Sequence, residues 1–453
     1  MHACIHSAGY HGERWRQRHF SYFKSLGIPG PEPNLLWGNI REYHSTHHHK
    51  VIEKWLEKYG DTFGFYDGDV PFVVTLDLDF LEYVLVRNFQ NFTDRGDELL
   101  TEQKHPLLRN SIVYAAGTQW RNIRRCVASG FTPAKLKQML TDMNRGADIY
   151  LDIAGEHADS GREANVYELY RKLSMDYVGR AAFGVDCSFQ RGPDNVLATT
   201  TKVILQSVMT GPLHFLCQST SALGIFATPL YWIHMILGAY AAITMTKETA
   251  RGDRSQKKKS RKYEEESSET EYGTSANGKG PANVPKSRVL TKDEVLLNAS
   301  TLFVAGHDTL STSLSYVTYL LAKHQDIQNR VRKEINDATS STEELDYETV
   351  TRKLPYLSQV VSEALRLYAP VLTFAPENEG SYHKVAYQAF GLGPRNCLGQ
   401  RMGYVALNLT LARLVQQFHL ELGPSQGEEP LDIDCRAVVS EPAVGPWIVF
   451  RRT

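Results

Sequence analysis

The stretch Phe390-Gly391-Leu392-Gly393-Pro394-Arg395-Asn396-Cys397-Leu398-Gly399 constrains this chain more than any other. Glycines at 391, 393 and 399 keep a loop open around a single cysteine. Beyond it, Met402, Val405, Leu409, Ala412 and Val415 recur at three-to-four spacing, which predicts an amphipathic helix beginning at the cysteine. A sulfur at that position meets the unpaired N–H groups and the positive end of the helix, and both favour the thiolate. A lone thiolate held in this way suits a single axial bond to a haem iron. Taken alone, Cys397 is more simply a structural cysteine ahead of a helix.

With Phe390, Gly393, Arg395, Cys397 and Gly399 in place, the stretch resembles the haem-binding signature of the cytochrome P-450 family at every fixed position. The resemblance runs over nearly the whole chain and is closest to microsomal family-3 and thromboxane-synthase-like members. It implies a mainly α fold with small β-sheets and haem b (iron protoporphyrin IX) as cofactor. The activity it implies is monooxygenation of apolar small molecules (xenobiotics, steroids or lipids) with O2 and NADPH-derived electrons. NADPH-cytochrome reductase, with cytochrome b5 as a second donor, would be the partners. A haem isomerase of the thromboxane-synthase type, which rearranges a peroxide without O2 or reductase, is the rival enzyme class. A catalytically impaired, truncated isoform is the other alternative.

Composition fits this frame. The chain has 453 residues, 50 lysines and arginines against 51 acids, and a formal net charge of −1, which gives no global reason to expect a nucleic-acid partner. The cysteines at 4, 126, 187, 217, 397 and 435 are scattered without a CxxC pair, as in a reducing compartment. Residues 1–33 read as a basic N-terminal segment and a proline hinge (Gly27 to Pro33), and 34–453 as the haem-binding domain. Residues 1–25 lack an apolar run, so the expected place is the cytosolic face of the endoplasmic reticulum membrane, held peripherally without the anchor of microsomal relatives.

Along the chain, His44, His47, His48 and His49 read as a solvated face near a helix start, ahead of a metal site, because no acid or cysteine accompanies them in sequence. Thr62 to Phe65 and Phe72 to Leu76 read as strands around an Asp67-Gly68 turn. Trp120 and Arg124 share a helical face and suit a carboxylate clamp, although the residues alone read more simply as the basic face of an amphipathic helix; the resemblance implies that they hold the haem propionates. Arg121, Arg125, Lys135 and Lys137 offer a basic patch for an acidic electron donor, or are simply solvated. Ser111 and Ile112 fall where the family lines its substrate pocket, as do Phe303, Val304, Ala305, Val371, Leu372 and Val444. Residues 166–184 are a scaffold helix. The uncharged run 222–245 is long enough to span a bilayer; an interfacial segment on the membrane surface is preferred, with a core helix as the third reading. Residues 251–288, with Lys257 to Lys259 and Glu264 to Glu266 as opposed charge blocks, read as a disordered linker.

Thr291-Lys292-Asp293-Glu294 is a capping box opening a helix that continues through Ala305-Gly306-His307-Asp308-Thr309. Glycine inside a helix costs about 1 kcal/mol relative to alanine and needs a reason; close approach to a flat ligand would supply one. Asp308 and Thr309 match the family's acid–alcohol pair, the carboxylate relaying protons and the hydroxyl holding water. Glu363 and Arg366 match the family's buried Glu-x-x-Arg pair, and Arg395, Phe390 and Gly399 complete the cysteine surroundings. One stretch is missing. From Arg366 to Cys397 is 31 positions, less than half the family interval, and the strands and Pro-Glu-Arg-Phe segment that brace the cysteine loop have no counterpart. The break falls between Phe374 and Ala375 and points to a skipped exon or an incomplete gene. Val439 to Trp447 reads as a turn between short strands that reaches into the pocket.

Overall fold

The computed structural model describes residues 14–44, 47–95, 110–184, 189–192, 290–339, 345–370, 385–427, 430–435 and 439–453, without the side chains of 181–183. The segments 222–245 and 251–288, and the pocket candidates Val371 and Leu372, lie outside the described residues.

Eight longer helices carry the described fold: α1 (His48–Tyr59), α2 (Gly117–Ala128), α3 (Pro133–Ser160), α4 (Val166–Phe183), α5 (Lys292–Lys323), α6 (Gln325–Ala338), α7 (Pro355–Leu367) and α8 (Gln400–Gln417). Their ends follow local chemistry. Thr132 caps α3 ahead of Pro133, whose missing N–H costs nothing at that position. Asn165 caps α4 by accepting from the N–H groups of Tyr167 and Glu168. Both hydrogen bonds of the capping box at Thr291 and Glu294 are present at the start of α5.

The main core lies where α3, α4, α5, α7 and α8 meet, and Val405 to Val415 of α8 are buried on every face. A helix apolar all round belongs in the centre of a large core. Most of its polar groups find partners: Tyr177 and Thr410 share a hydrogen bond of 2.8 Å, and the Asn408 amide nitrogen donates to Val350 O at 3.0 Å and to Ser358 Oγ at 2.9 Å. Tyr170 joins α4 to Thr318 of α5 at 2.7 Å. These bonds satisfy groups that would each cost about 1–3 kcal/mol if buried alone.

Three small antiparallel sheets flank the helices. Strands β1 (Thr62–Asp67) and β2 (Val70–Thr75) pair with Phe65 opposite Phe72, over Val51, Ile52 and Trp55 of α1. Strand β7 (Trp447–Arg452) lies between β3 (Ala164–Asn165) and β4 (Phe418–Leu422), and β5 (Ile433–Asp434) pairs with β6 (Glu441–Pro442). Among the described residues the β1–β2 sheet has two strands, and Val73 is 47% exposed. That is the sheet which the missing interval would extend.

The histidines near α1 differ from the solvated face read from the sequence. The fold brings acids to them: His44 Nε2 lies 3.2 Å from Asp67 Oδ1, and His47 Nδ1 lies 3.8 Å from Asp434 Oδ1. The His48 ring stacks on Tyr43 at 4.5 Å. Sequence distance hid both carboxylates. No group of three potential ligands converges on a metal position among the described residues. Nor is any described helix long and apolar enough to cross a membrane.

Candidate functional site

The cysteine loop is pinned from three directions. Cys397 N–H donates to Phe390 O at 2.7 Å, closing the loop on itself. Gly393 has φ +68, and a Cβ there would stand 1.9 Å from the Leu85 carbonyl oxygen. Only glycine permits that approach. Phe390 then packs on Tyr404 of α8 at 5.0 Å between ring centroids.

Arg395 is the third pin. Its guanidinium donates to the carbonyls of Thr93 (2.9 Å), Val113 (3.2 Å) and Ala115 (2.7 Å), and lies 4.3 Å from the Trp120 ring centroid. A guanidinium has five N–H groups, so donors remain for an anionic partner. Arg124 donates to Asn396 Oδ1 at 2.7 Å, next to the cysteine. Trp120 is buried, and the Arg124 guanidinium lies 5.8 Å from its ring.

The helix after the loop starts at Gln400, three residues later than the spacing predicted. Asn396 is extended (ψ 164) after a single 3-10 turn, Gly393–Arg395. The sulfur therefore sits over the first turn, where it accepts from the backbone N–H groups of Gly399 and Gln400. These bonds and Arg124 favour the thiolate, yet burial outweighs them and the Cys397 pKa is raised. The side chain is nonetheless exposed. The N–H groups expected at the sulfur are present, and a cation there is what would replace the proton.

Arg124 and Arg395 repel each other and are both repelled by Arg95. Burial, followed by this crowding, lowers Arg124 and brings Arg395 down to about 10. Arg95 escaped the sequence reading because it lies in no motif; only the fold places it beside the other two. Two partly buried guanidiniums, Arg124 and Arg395, with exposed Arg95 near them and an exposed thiol alongside, form a donor set for a planar metal cofactor that carries carboxylates, and the residues fit such a group.

Helix α5 carries the other candidate site residues. Ala305 is exposed and Thr309 half-buried, one turn apart on the same face, and Thr309 Oγ1 donates to Ala305 O at 2.6 Å. Phe303 and Val304 are half-buried. Gly306 points the other way: a Cβ there would lie 3.1 Å from Val178 of α4. Its reason is helix–helix packing, which corrects the expected approach to a flat ligand. Fully buried His307 places Nδ1 2.7 Å from Asp308 Oδ1, a neighbour that the sequence did not assign. No hydrogen bond or ion pair links Asp308 or Thr309 to the cysteine loop among the described residues.

Two further expectations change. Ser111 is 1% exposed and packs instead of lining open space, while Ile112 is tied to α5 by its N–H donating to Asn298 Oδ1 at 2.7 Å. Glu363 and Arg366 pair through two bonds, 2.7 and 2.8 Å, but on the surface, with side chains 55% and 40% exposed. The pair therefore stands at the surface and not in the burial that the resemblance implies. Val444 stands 68% exposed at the turn between β6 and β7.

The family model described as Cytochrome P450 matches residues 28–376 and 372–445. This chain belongs to the cytochrome P450 family. The two matched pieces meet at 372–376, where the sequence reading put the missing interval. Among curated relatives, cytochrome P450 3A6 of Oryctolagus cuniculus is 26% identical over 452 residues, covering 88% of this chain and 87% of its own. Probable cytochrome P450 6a21 of Drosophila melanogaster is 26% identical over 476 residues, covering 92% of each. Lithocholate 6-beta-hydroxylase of Mesocricetus auratus is 26% identical over 452 residues, covering 88% and 86%. This P450 is accordingly a haem-thiolate monooxygenase with haem b as its cofactor and a mainly α fold, and it requires a redox partner, O2 and a small-molecule substrate.

Proposed function

We propose that this P450 oxidises apolar small molecules, steroids among them, with electrons from NADPH-cytochrome reductase and cytochrome b5. The observation that carries the site assignment is the meeting of exposed Cys397 with Arg95, Arg124 and Arg395 around Trp120. Haem bound there supplies the iron that activates O2. Cys397 would hold its iron through the sulfur, where burial otherwise favours the proton. Arg124, Arg395 and Trp120 would hold the propionates, whose charge would offset the repulsion among the arginines. Phe390 and Gly399 fix the loop that carries the sulfur.

Thr309 holds water on the open face of α5, and Asp308 supplies protons one residue away. Phe303, Val304, Ala305, Ile112 and Val444, with Val371 and Leu372, bound the substrate. A relative named for hydroxylating lithocholate supports a steroid-sized apolar substrate. Arg121, Arg125, Lys135 and Lys137 are all exposed, and no salt bridge engages them among the described residues, so they suit an acidic donor protein. Residues 222–245 hold the enzyme peripherally on the cytosolic face of the endoplasmic reticulum membrane. The structural pair Glu363 and Arg366 steadies the end of α7.

Reconstitution with NADPH and the reductase tests this reading. Steroid hydroxylation that needs both is the expected result. Turnover of an added endoperoxide without either would replace it with the isomerase reading.

A further inference from the structure

Helix α5 carries a polar stripe that runs from the acid of the acid–alcohol pair into the core. Asp308, Thr312 and Tyr316 stand four residues apart, on one face, with neighbouring side chains about 5–6 Å from each other. Thr312 is fully buried and its Oγ1 has no hydrogen-bond partner among the described residues. Beside Asp308, both ring nitrogens of fully buried His307 also lack one, although Nδ1 is close to the carboxylate. Orphaned polar atoms clustered in a core mark positions for internal water.

The far end of the stripe reaches Ser440, which directly precedes β6 and its Glu441. Tyr316 O–H meets Ser440 Oγ at 3.2 Å, and Ser440 Oγ donates onward to Ala369 O at 2.7 Å. Next to Ser440, Glu441 Oε2 accepts from Tyr167 O–H at 2.6 Å. Glu441 is half-exposed, whereas Tyr167 and Tyr316 are buried. Asp308 is near enough to Tyr167 to raise its pKa further, after burial and Glu441. Arg171, paired with Glu168 at 3.5 Å, flanks the Tyr167 ring at 5.9 Å.

We propose that this stripe is a water-bearing proton track from Glu441 at the surface, past Thr312, to Asp308. The inference rests on the reading of Asp308 as the proton-supplying acid. In each passage the Glu441 carboxyl gives up a proton and the Asp308 carboxylate gains one. Glu441 is then reprotonated from solvent, and the intervening waters are unchanged. Tyr167 is a positioning residue that orients the Glu441 carboxylate. Thr312 anchors a bridging water with the hydroxyl that is otherwise orphaned, and His307 anchors another beside Asp308.

Infrared spectroscopy of the purified protein, with or without haem, reads the track without turnover. The carboxyl band of Asp308 is the one lost in Asp308→Asn. On transfer to heavy water at acidic pD it should exchange within the mixing time in the wild type. In Thr312→Val and Glu441→Gln it should exchange at least tenfold more slowly, while Tyr167→Phe shows a smaller delay. Unchanged exchange in both variants would overturn the track. A second readout is the share of NADPH electrons released as hydrogen peroxide by the haem-loaded enzyme. It should rise about threefold in Thr312→Val and Glu441→Gln, with substrate-induced spectral shifts retained. If Asp308→Asn leaves that share unchanged, the reading of Asp308 fails. If Asp308→Asn raises it while the two track variants match the wild type, the track alone fails.

Discussion

Cys397 carries opposed pressures. Two backbone N–H groups and Arg124 draw its pKa down, and burial pushes it further up. In haem-free protein its alkylation rate should therefore still be climbing above pH 9, and a plateau by pH 8.5 would contradict this balance. The residue type, spacing and loop were legible in the sequence; the protonation balance was not, because burial depends on segments hundreds of positions away. Arg95 shows the same limit, since its relation to Arg395 exists only after folding. Gly393→Ala should cost more than about 3 kcal/mol in thermal unfolding, because the new methyl meets the Leu85 carbonyl at an unfavourable φ. Glu363 is a milder case. Arg366 holds its carboxyl below 4.5, so the pair stabilises the fold above that value, and the contribution fades as pH falls through the lower folded pKa. With both side chains well exposed it is worth less than about 1 kcal/mol, and Glu363→Gln should shift the neutral-pH melting temperature only slightly.

At the scale of elements, helices were read more securely than their surroundings. The capping box at Thr291 and Glu294 placed the start of α5 because the signal is local. Thr291→Ala removes one of the two reciprocal bonds and should destabilise the protein by about 1 kcal/mol, measured by denaturant unfolding. Periodicity located α8 but not its first residue, since the extended Asn396 delays the helix without altering the apolar pattern beyond it. Gly306 was noticed for the right physical reason, the cost of glycine in a helix. Its partner proved to be Val178, which no pattern within α5 encodes. The histidines ahead of α1 likewise gained Asp67 and Asp434 from segments 23 and nearly 400 positions away.

For the whole molecule, a continuous helical core among the described residues stands beside a short connection from Arg366 to Cys397. Helices α3, α4, α5, α7 and α8 bury a continuous apolar interior, and the cysteine loop is held to it through Phe390. Arg366 and Cys397 stand 31 positions apart, the interval that the resemblance implies to be shortened, and the β1–β2 sheet has two strands among the described residues. The loop is braced instead by Arg395 on three carbonyls and by the contact of Gly393 with Leu85. The central claim is that these braces suffice for Cys397 to ligate haem iron. The carbonmonoxy difference spectrum of the reduced, haem-reconstituted protein tests it most directly. The account predicts a thiolate-ligated band that is lost in Cys397→Ser; no haem incorporation, or a band unchanged by that substitution, would contradict it.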